Sequence, residues 1–260
     1  MPEITTTALI TGASAGIGRE LAKLFAQDHY NLVLVARNAS RLSALAGELQ
    51  QQFGITAKTF PLDLASSAAP RFLFDQLQRE ALHVDVLVNN AGYGKLGAFA
   101  GVRYEESAGQ IQLNITALTH LTKLFLAPML ERRSGKILNV ASTAGFQPGP
   151  LMAVYYATKA YVISFSEALT NELQGTGVTV TCLCPGATDT EFQTRAGTER
   201  TTLFRRMRPM DAAMVARDGY RALMNGKSLV ISGLRNKLLA QSLRISPRRV
   251  VTAVSRKMLE

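Results

Sequence analysis

The chain has 260 residues, 47% of them hydrophobic, which is enough to bury the core of one α/β domain. Lysine and arginine total 29 against 19 acidic residues, and the net charge of +10 favours anionic ligands or surfaces without naming one. The two cysteines, Cys182 and Cys184, stand without neighbouring histidine or further cysteine, so the sequence supports neither a disulfide framework nor a metal site. We find no signal peptide and no apolar run of the roughly eighteen residues that span a bilayer. We therefore expect a cytoplasmic protein, and no feature indicates a nucleic-acid partner.

Apolar runs of strand length alternate along the chain with helix-length segments that repeat apolar residues every three or four positions. The predicted strands span residues 8–11, 32–36, 57–62, 84–89, 136–141, 178–183 and 229–232. Such alternation predicts an α/β fold with a parallel sheet that is covered by helices on both faces.

The predicted organisation is a single domain with a terminal addition. We assign residues 1–233 to the domain and residues 234–260 to a basic helical C-terminal extension of it. A long polar segment, 187–209, follows the sixth strand and is interpreted as a substrate loop, because connections of that length in compact domains usually carry function.

The first predicted strand runs directly into a glycine-rich loop, 12–18, with the spacing GxxxGxG, and an amphipathic helix follows. Glycine allows the backbone to turn tightly and approach a pyrophosphate, while the N-H groups at the helix start hold the anion. The loop therefore indicates a dinucleotide site, although the commoner fingerprint is GxGxxG and an ordinary turn is the alternative.

The residue after the second predicted strand indicates which dinucleotide is bound. A site for NAD would present an acidic side chain to the ribose 2'-hydroxyl, but here Arg37 follows the strand. Its guanidinium can pair with a 2'-phosphate, aided by the Ser14 hydroxyl, and Arg41 is a candidate second contact. NADP(H) is favoured, and a solvated surface arginine is the alternative.

A serine, a tyrosine and a lysine form the candidate proton-transfer device. Ser142 stands thirteen residues before Tyr155, and Lys159 follows Tyr155 by one helical turn, which places the last two on one face. A free tyrosine with a pKa of roughly 10 is a poor proton partner near neutrality, and a neighbouring cation lowers that pKa. The Ser142 hydroxyl can donate to the same substrate oxygen. In isolation Ser142 could equally be a strand-end cap and Asn114 part of an Asx turn.

Taken together, these motifs resemble the short-chain dehydrogenase/reductase family. The matching pieces, in the family's order, are TGxxxGxG, Asn89-Asn90-Ala91-Gly92, Asn114, Ser142, Tyr155-x-x-x-Lys159 and Pro185-Gly186. The resemblance covers about residues 5–232 and implies a Rossmann-like doubly wound sheet of seven parallel strands in the order 3-2-1-4-5-6-7.

The resemblance also implies a role for each matching residue. Asn114 orders a water for proton relay, Ser142 polarises the substrate oxygen, Tyr155 is the general acid or base, and Lys159 holds the nicotinamide ribose and lowers the tyrosine pKa. The implied cofactor-binding residues are Gly12, Ser14, Ile17, Gly18, Arg37, Asp63, Leu64, Asn90, Tyr155, Lys159, Pro185, Gly186, Thr188 and Thr190.

The segments expected to contact substrate are mostly apolar. Their candidate pocket residues are Leu96, Phe99, Phe146, Leu151 and Met152 after the fourth and fifth strands, and Phe192, Leu203, Phe204 and Met207 after the sixth. These walls suit an apolar carbonyl compound or secondary alcohol. The substrate loop also carries Arg195, Arg200, Arg205, Arg206 and Arg208, which either meet an anionic group such as that of an acyl-CoA or acyl-carrier protein or simply solvate the surface.

The leading hypothesis is therefore an NADP(H)-dependent oxidoreductase for an apolar carbonyl substrate. The alternatives are a non-catalytic NADP(H)-binding protein that reports redox state, and a 3-ketoacyl reductase as the narrower class. The resemblance implies a homodimer or homotetramer built through segments 104–133 and 156–175. The basic extension packs on the protein itself, on a second subunit or on an anionic membrane surface.

Overall fold

The computed structural model describes residues 6–203 and 209–260. Seven parallel strands within these residues form one sheet in the order β3-β2-β1-β4-β5-β6-β7. The strands are β1 Thr7–Thr11, β2 Asn31–Ala36, β3 Ala57–Pro61, β4 Val86–Asn89, β5 Gly135–Val140, β6 Val178–Cys184 and β7 Leu229–Ile231. The predicted fold class and strand order are confirmed.

Helices connect the strands and cover the sheet. They are α1 Gly16–Gln27, α2 Ala39–Phe53, α3 Ala69–Arg79, α4 Tyr104–Ile111, α5 Leu118–Glu131, α6 Ala153–Glu172, α7 Phe192–Ala196, α8 Ala212–Met224, α9 Leu234–Ser242 and α10 Arg248–Leu259. A π-helical turn, Gln112–Ala117, joins α4 to α5, and short 3-10 turns lie at Phe99–Gly101 and Thr143–Phe146.

The strands send alternate side chains into two separate cores. Along β1, Ile10 packs into the core beneath α1, α2 and α8, and Leu9 packs into the opposite core beneath α3 and α5. Neighbouring strands show the same alternation. Leu9 pairs in register with Val33 of β2 and Leu87 of β4, and all three side chains pack into the same core. Burial on both faces explains why the strands appear in the sequence as continuous apolar runs rather than alternating ones.

All seven predicted strands are present, and their ends shift by one or two residues. The fourth strand begins at Val86 rather than at residue 84, and the Asp85 carboxylate before it accepts a hydrogen bond from the Thr7 N-H at 2.8 Å. The third strand ends at Pro61, one residue earlier than predicted, although the Leu62 N-H still donates to the Ala36 carbonyl at 3.1 Å. Hydrophobic patterns do not locate strand ends to the residue.

The predicted basic extension consists of α9 and α10, which follow β7. Asn236 of α9 donates to the Ser232 carbonyl at 2.8 Å and packs directly against Gly186 at the end of β6. Within the described part of the chain, no helix is both long and apolar enough to cross a membrane.

Candidate active site

A cavity of about 940 Å³ lies at the carboxyl ends of the strands, where ligands bind in doubly wound sheets. All predicted site residues except Gly18 and Asn114 line it. They are Gly12, Ser14, Ile17, Arg37, Asp63, Leu64, Asn90, Ser142, Tyr155, Lys159, Pro185, Gly186, Thr188 and Thr190. The structure thus brings together residues that are up to 178 positions apart in the chain (12 to 190).

The glycine loop is shaped by close backbone approach. Gly12 has a φ of +66°, and a Cβ there would lie 2.7 Å from the Nδ2 atom of Asn90. Asn90 Nδ2 donates to the Thr11 carbonyl at 2.9 Å, so the loop and the end of β4 are tied together. Gly18 lies beneath the loop, where a Cβ would clash with the Gly12 carbonyl. Gly18 therefore permits the loop to form rather than lining the cavity.

Arg37 follows β2 and is exposed along the cavity wall. Within residues 6–203 and 209–260 it forms no salt bridge, so its guanidinium is available to a ligand. Arg41 differs from the sequence expectation. Its Nη1 atom pairs with Glu191 Oε1 at 2.5 Å, and Arg195 binds the other carboxylate oxygen at 2.7 Å. The two guanidinium groups hold the pKa of the Glu191 carboxyl below its usual range.

The segment after β6 folds over the glycine loop. Thr188 Oγ1 donates to the Gly186 carbonyl at 3.0 Å, and Thr190 Oγ1 accepts from the Phe192 N-H at 3.2 Å. A Cβ on Gly16 would lie 2.9 Å from the Thr190 methyl carbon. The segment is therefore fixed by its own hydrogen bonds and by contact with the opposite side of the cavity.

Tyr155 and Lys159 lie one turn apart near the start of α6, as the spacing predicts. The Lys159 ammonium is 5.8 Å from the Tyr155 ring centroid and donates to the Val140 carbonyl at 2.8 Å. Ser142 follows β5, and its hydroxyl lies near Tyr155 and donates to the Pro185 carbonyl at 3.4 Å. Ser142 is also the N-cap of the 3-10 turn, since it accepts from the Ala144 N-H at 3.1 Å. Ser142 is therefore both a cap, as in the alternative interpretation, and a residue of the cavity wall.

Burial dominates the acid-base properties of this group. It raises the pKa of Tyr155, and the hydrogen bond from Ser142 opposes that rise. Burial also lowers the pKa of Lys159 to about 8. Lys159 therefore carries its charge over most of the neutral range and supplies a cation beside the phenol.

Asn114 lies in the π-helical turn, where an extra residue in the helix is a frequent mark of functional sites. It is 1% exposed and does not line the cavity. Its Oδ1 accepts from the Tyr93 N-H at 3.1 Å, and its Nδ2 donates to the Tyr93 carbonyl at 2.9 Å and to Thr158 Oγ1 at 3.0 Å. Thr158 was not identified from the sequence, although it directly precedes Lys159.

Only some of the predicted pocket-wall residues line the apolar chamber beside Tyr155. Met152, Phe192 and Leu203 line the cavity, and the Phe192 ring lies 5.2 Å from that of Tyr155.

The other candidate wall residues lie elsewhere. Phe99 is 69% exposed and does not line the cavity, and Phe146 packs into a cluster with Val162. Leu96 and Leu151 support the chamber from behind. Of the predicted arginines, Arg195 lines the cavity and Arg200 does not. Residues Phe204, Arg205, Arg206, Met207 and Arg208 lie outside the described residues.

The C-terminal helices supply a cavity wall that the sequence did not reveal. The lining residues from this region are Asn236, Leu239, Ala240, Ser242, Leu243, Ser246, Val250, Val251, Val254, Ser255, Met258 and Leu259. A helical pattern with apolar positions was recognised in the sequence, but no motif indicates which surface such a helix covers.

Residues 6–201 match the model of the short chain dehydrogenase family, so the chain belongs to that family. It is 38% identical over 182 residues to a very-long-chain 3-oxoacyl-CoA reductase of Phaeosphaeria nodorum, covering 68% of this chain and 53% of the relative. It is 37% identical over 180 residues to the ketoacyl reductase HetN of a Nostoc species, covering 69% of this chain and 62% of the relative. The matched region thus spans only half to three fifths of these relatives.

Two solved structures extend the likeness over nearly the whole chain. A short-chain dehydrogenase from Sphingobium yanoikuyae in complex with NADPH is 32% identical with a TM-score of 0.81, covering 94% of this chain and 97% of its own. A bulky-bulky ketone specific alcohol dehydrogenase from Comamonas testosteroni is 31% identical with a TM-score of 0.78, covering 92% of each chain. The first of these two structures was solved with NADPH bound.

Proposed function

We propose that the protein transfers a hydride between NADP(H) and an apolar ketone or secondary alcohol, with Tyr155 as general acid and base. The observation that carries this proposal is the grouping of Ser142, Tyr155 and Lys159 on one cavity wall, between the glycine loop and an apolar chamber. That grouping joins a dinucleotide site to a proton donor.

The cavity fits a nicotinamide dinucleotide in its chemistry as well as its place. The glycine loop lines the cavity beside the start of α1, and Arg37, which forms no salt bridge within the described residues, adds a cation to the same cavity. We assign the remaining cofactor contacts to Ser14, Asp63 and Leu64 on one side and to Asn90 and the 185–190 segment on the other. When bound, the cofactor supplies or accepts the hydride.

The chain's own residues manage the proton. In the reduction, Tyr155 gives its phenolic proton to the substrate oxygen while Ser142 donates a hydrogen bond to the same atom. Lys159 stabilises the phenolate that remains, because its ammonium lies beside the ring. We assign Asn114 to the water that returns a proton. Its Oδ1 lies on the same side of Gly92 as the Lys159 ammonium, since a Cβ on Gly92 would be 3.0 Å and 3.5 Å from these atoms.

The experiment is NADPH and NADH oxidation across medium- and long-chain 3-keto esters, steroids and aromatic aldehydes. The proposal expects turnover of at least one apolar ketone with NADPH preferred. A panel in which NADPH binds and is never oxidised would instead favour the non-catalytic redox-reporting protein.

A second, narrower candidate is the reduction of 3-ketoacyl thioesters. Two relatives named for 3-oxoacyl-CoA and ketoacyl reduction favour it, and Arg195 on the cavity wall is placed to meet an anionic carrier group. Comparing a 3-ketoacyl-CoA with the matching simple ester tests this candidate. A kcat/KM at least about tenfold higher for the thioester, lost in Arg195→Gln, supports a charge-assisted contact to the carrier. Equal values for the two substrates contradict it.

A further inference from the structure

The cavity does not end at the chamber beside Tyr155 but continues along the C-terminal helices. Helix α10 contributes two adjacent stripes of side chains to the cavity, and within each stripe successive residues are one helical turn apart. The inner stripe, Val251, Ser255 and Leu259, is buried. The outer stripe, Val250, Val254 and Met258, also lines the cavity, although Val250 and Val254 remain 56% and 57% exposed.

The inner stripe carries one polar group. Ser255 is 3% exposed, and its hydroxyl has no hydrogen-bond partner among residues 6–203 and 209–260. The hydroxyl lies near that of Tyr156, where it opposes the rise that burial causes in the Tyr156 pKa. Its neighbour on the helix, Leu259, packs in the same apolar cluster as Tyr155. A buried hydroxyl without a partner is unfavourable, and here it borders the chamber in which the substrate carbonyl would lie.

The outer stripe lines the cavity together with Leu239 and Leu243, from α9 and the residue after it, and we call these five apolar residues the trough. The polar Ser242 and Ser246 line the same cavity. Leu239 is more than half exposed, so this end of the cavity opens to solvent. Four of the six remaining positions of α10 carry basic side chains, namely Arg248, Arg249, Arg256 and Lys257. The trough is therefore an apolar surface that continues outward from the catalytic tyrosine.

We infer that α10 is a substrate-binding helix with two contacts. The Ser255 hydroxyl binds a second oxygen of the substrate close to the reacting carbonyl, and the trough of Leu239, Leu243, Val250, Val254 and Met258 binds an unbranched apolar tail. The substrate class is then a long-chain carbonyl compound with a neighbouring ester, thioester or hydroxyl oxygen. This inference rests on the proposed function and narrows its substrate.

Replacing Ser255 tests the polar contact. Ser255→Ala should lower kcat/KM for a 3-keto ester about tenfold, the effect of one neutral hydrogen bond, and leave the simple methyl ketone of equal chain length unchanged. Thr252→Ala is the matched control, because Thr252 bonds back to the Arg248 carbonyl and does not line the cavity. The melting temperature of Ser255→Ala should fall by no more than about 2 °C, since among the described residues the lost hydroxyl lies near that of Tyr156 and has no hydrogen-bond partner. Equal losses for both substrates would overturn the assignment.

Filling the trough tests the tail contact. In the unaltered protein, kcat/KM should rise about three- to fourfold for each methylene that reaches the trough, across ketones of about four to sixteen carbons. Val254→Trp should end that rise at a shorter chain and spare the shortest ketones. Ala253→Trp is the control, because Ala253 is exposed on the next position and does not line the cavity.

A binding measurement separates failure of this inference from failure of the proposed function. Fluorescence titration with cis-parinaric acid, an unbranched apolar probe, should show binding that Val254→Trp weakens at least about fivefold and Ala253→Trp does not. If ketones turn over but Val254→Trp affects all chain lengths equally, the inference is wrong and the proposed function stands. If no ketone turns over but the probe shows the expected pattern, the trough stands and the proposed function is wrong. Absence of both effects overturns the inference.

Discussion

Lys159 holds a charged group at a position that is only 6% exposed, with the Val140 carbonyl as its hydrogen-bond acceptor. Burial lowers its pKa from 10.5 to about 8 in the folded protein, so between these values the unfolded chain binds more protons than the folded one. The free energy of unfolding must then rise with pH across that window, by up to about 3 kcal/mol from this residue. The buried Lys159 ammonium therefore lowers the stability of the protein at neutral pH.

Replacing Lys159 by Met should remove this cost. We expect a higher melting temperature for Lys159→Met at pH 7, a gap that narrows as the pH rises from about 8 to 10.5, and a large loss of turnover. Thermal unfolding of both proteins across this pH range checks the sign. Parallel curves would show that Lys159 is not destabilised by burial.

The proposed preference for NADPH depends on Arg37. Arg37→Ala should lower kcat/KM for NADPH by about 10- to 100-fold, the range for a lost charge-assisted contact, and leave the value for NADH nearly unchanged. Arg41→Ala is the comparison, because Arg41 is already paired with Glu191 and should not discriminate between the two cofactors. Equal losses for NADPH and NADH in Arg37→Ala would place the 2'-phosphate elsewhere.

Residues were predictable from the sequence where local spacing alone brings them together. Tyr155 and Lys159 lie four residues apart and so share one helix face in any fold, and Gly12 and Gly18 belong to one short loop. Ser255 and Thr158 were not predictable, because their neighbours come from distant parts of the chain and a lone serine or threonine carries no spacing signal.

At the scale of elements, a single carboxylate links the two sides of the cavity mouth. Glu191, just before α7, pairs with Arg41 of α2 and with Arg195 of α7. The groups are roughly half exposed, so each pair contributes little to global stability, but together they tie the segment after β6 to the helix beside Arg37.

Removing the Glu191 carboxylate should loosen the contact between the segment after β6 and α2 and leave the fold intact. Glu191→Gln should lower the melting temperature by no more than about 4 °C and speed NADPH release severalfold, because surface pairs contribute about 1 kcal/mol or less. Stopped-flow displacement of NADPH measures the release rate. An unchanged rate would mean that the Arg41 contact does not restrain this segment when cofactor is bound.

Elements themselves were largely predictable because each strand is buried on both faces and each covering helix repeats its apolar positions. The π-helical turn that holds Asn114 and the course of α9 and α10 were not. The π-helical turn depends on one extra residue within a continuous helix. The course of α9 and α10 depends on the contact between Asn236 and Gly186.

The whole molecule presents exposed apolar residues on α4, which belongs to a segment expected to form subunit contacts. Tyr104 is 80% exposed and Ile111 is 45% exposed. Burying such residues between two copies would stabilise a homodimer or homotetramer. Light scattering after gel filtration should show a dimer or tetramer that Ile111→Glu dissociates, with Met214→Glu on α8 as a comparably exposed control. A monomeric native protein would contradict this expectation.

The sheet order followed from the family motifs, whereas the substrate could not be derived from them. The motifs cover the glycine loop and the Ser142, Tyr155 and Lys159 group, which are proposed to act on the cofactor and the proton and not to select the substrate. The chamber is lined by side chains from α7 and α10 whose apolar character suits many carbonyl compounds.

The central claim is that Tyr155 transfers the proton in a hydride-transfer reaction. The most direct measurement is ketone reduction by Tyr155→Phe alongside the affinity of the same variant for NADPH. We expect turnover to fall by about 100- to 10,000-fold, the contribution of a positioned general acid, while NADPH affinity stays within about threefold of the native value. Turnover that survives the loss of the hydroxyl, with NADPH still bound, would contradict the account.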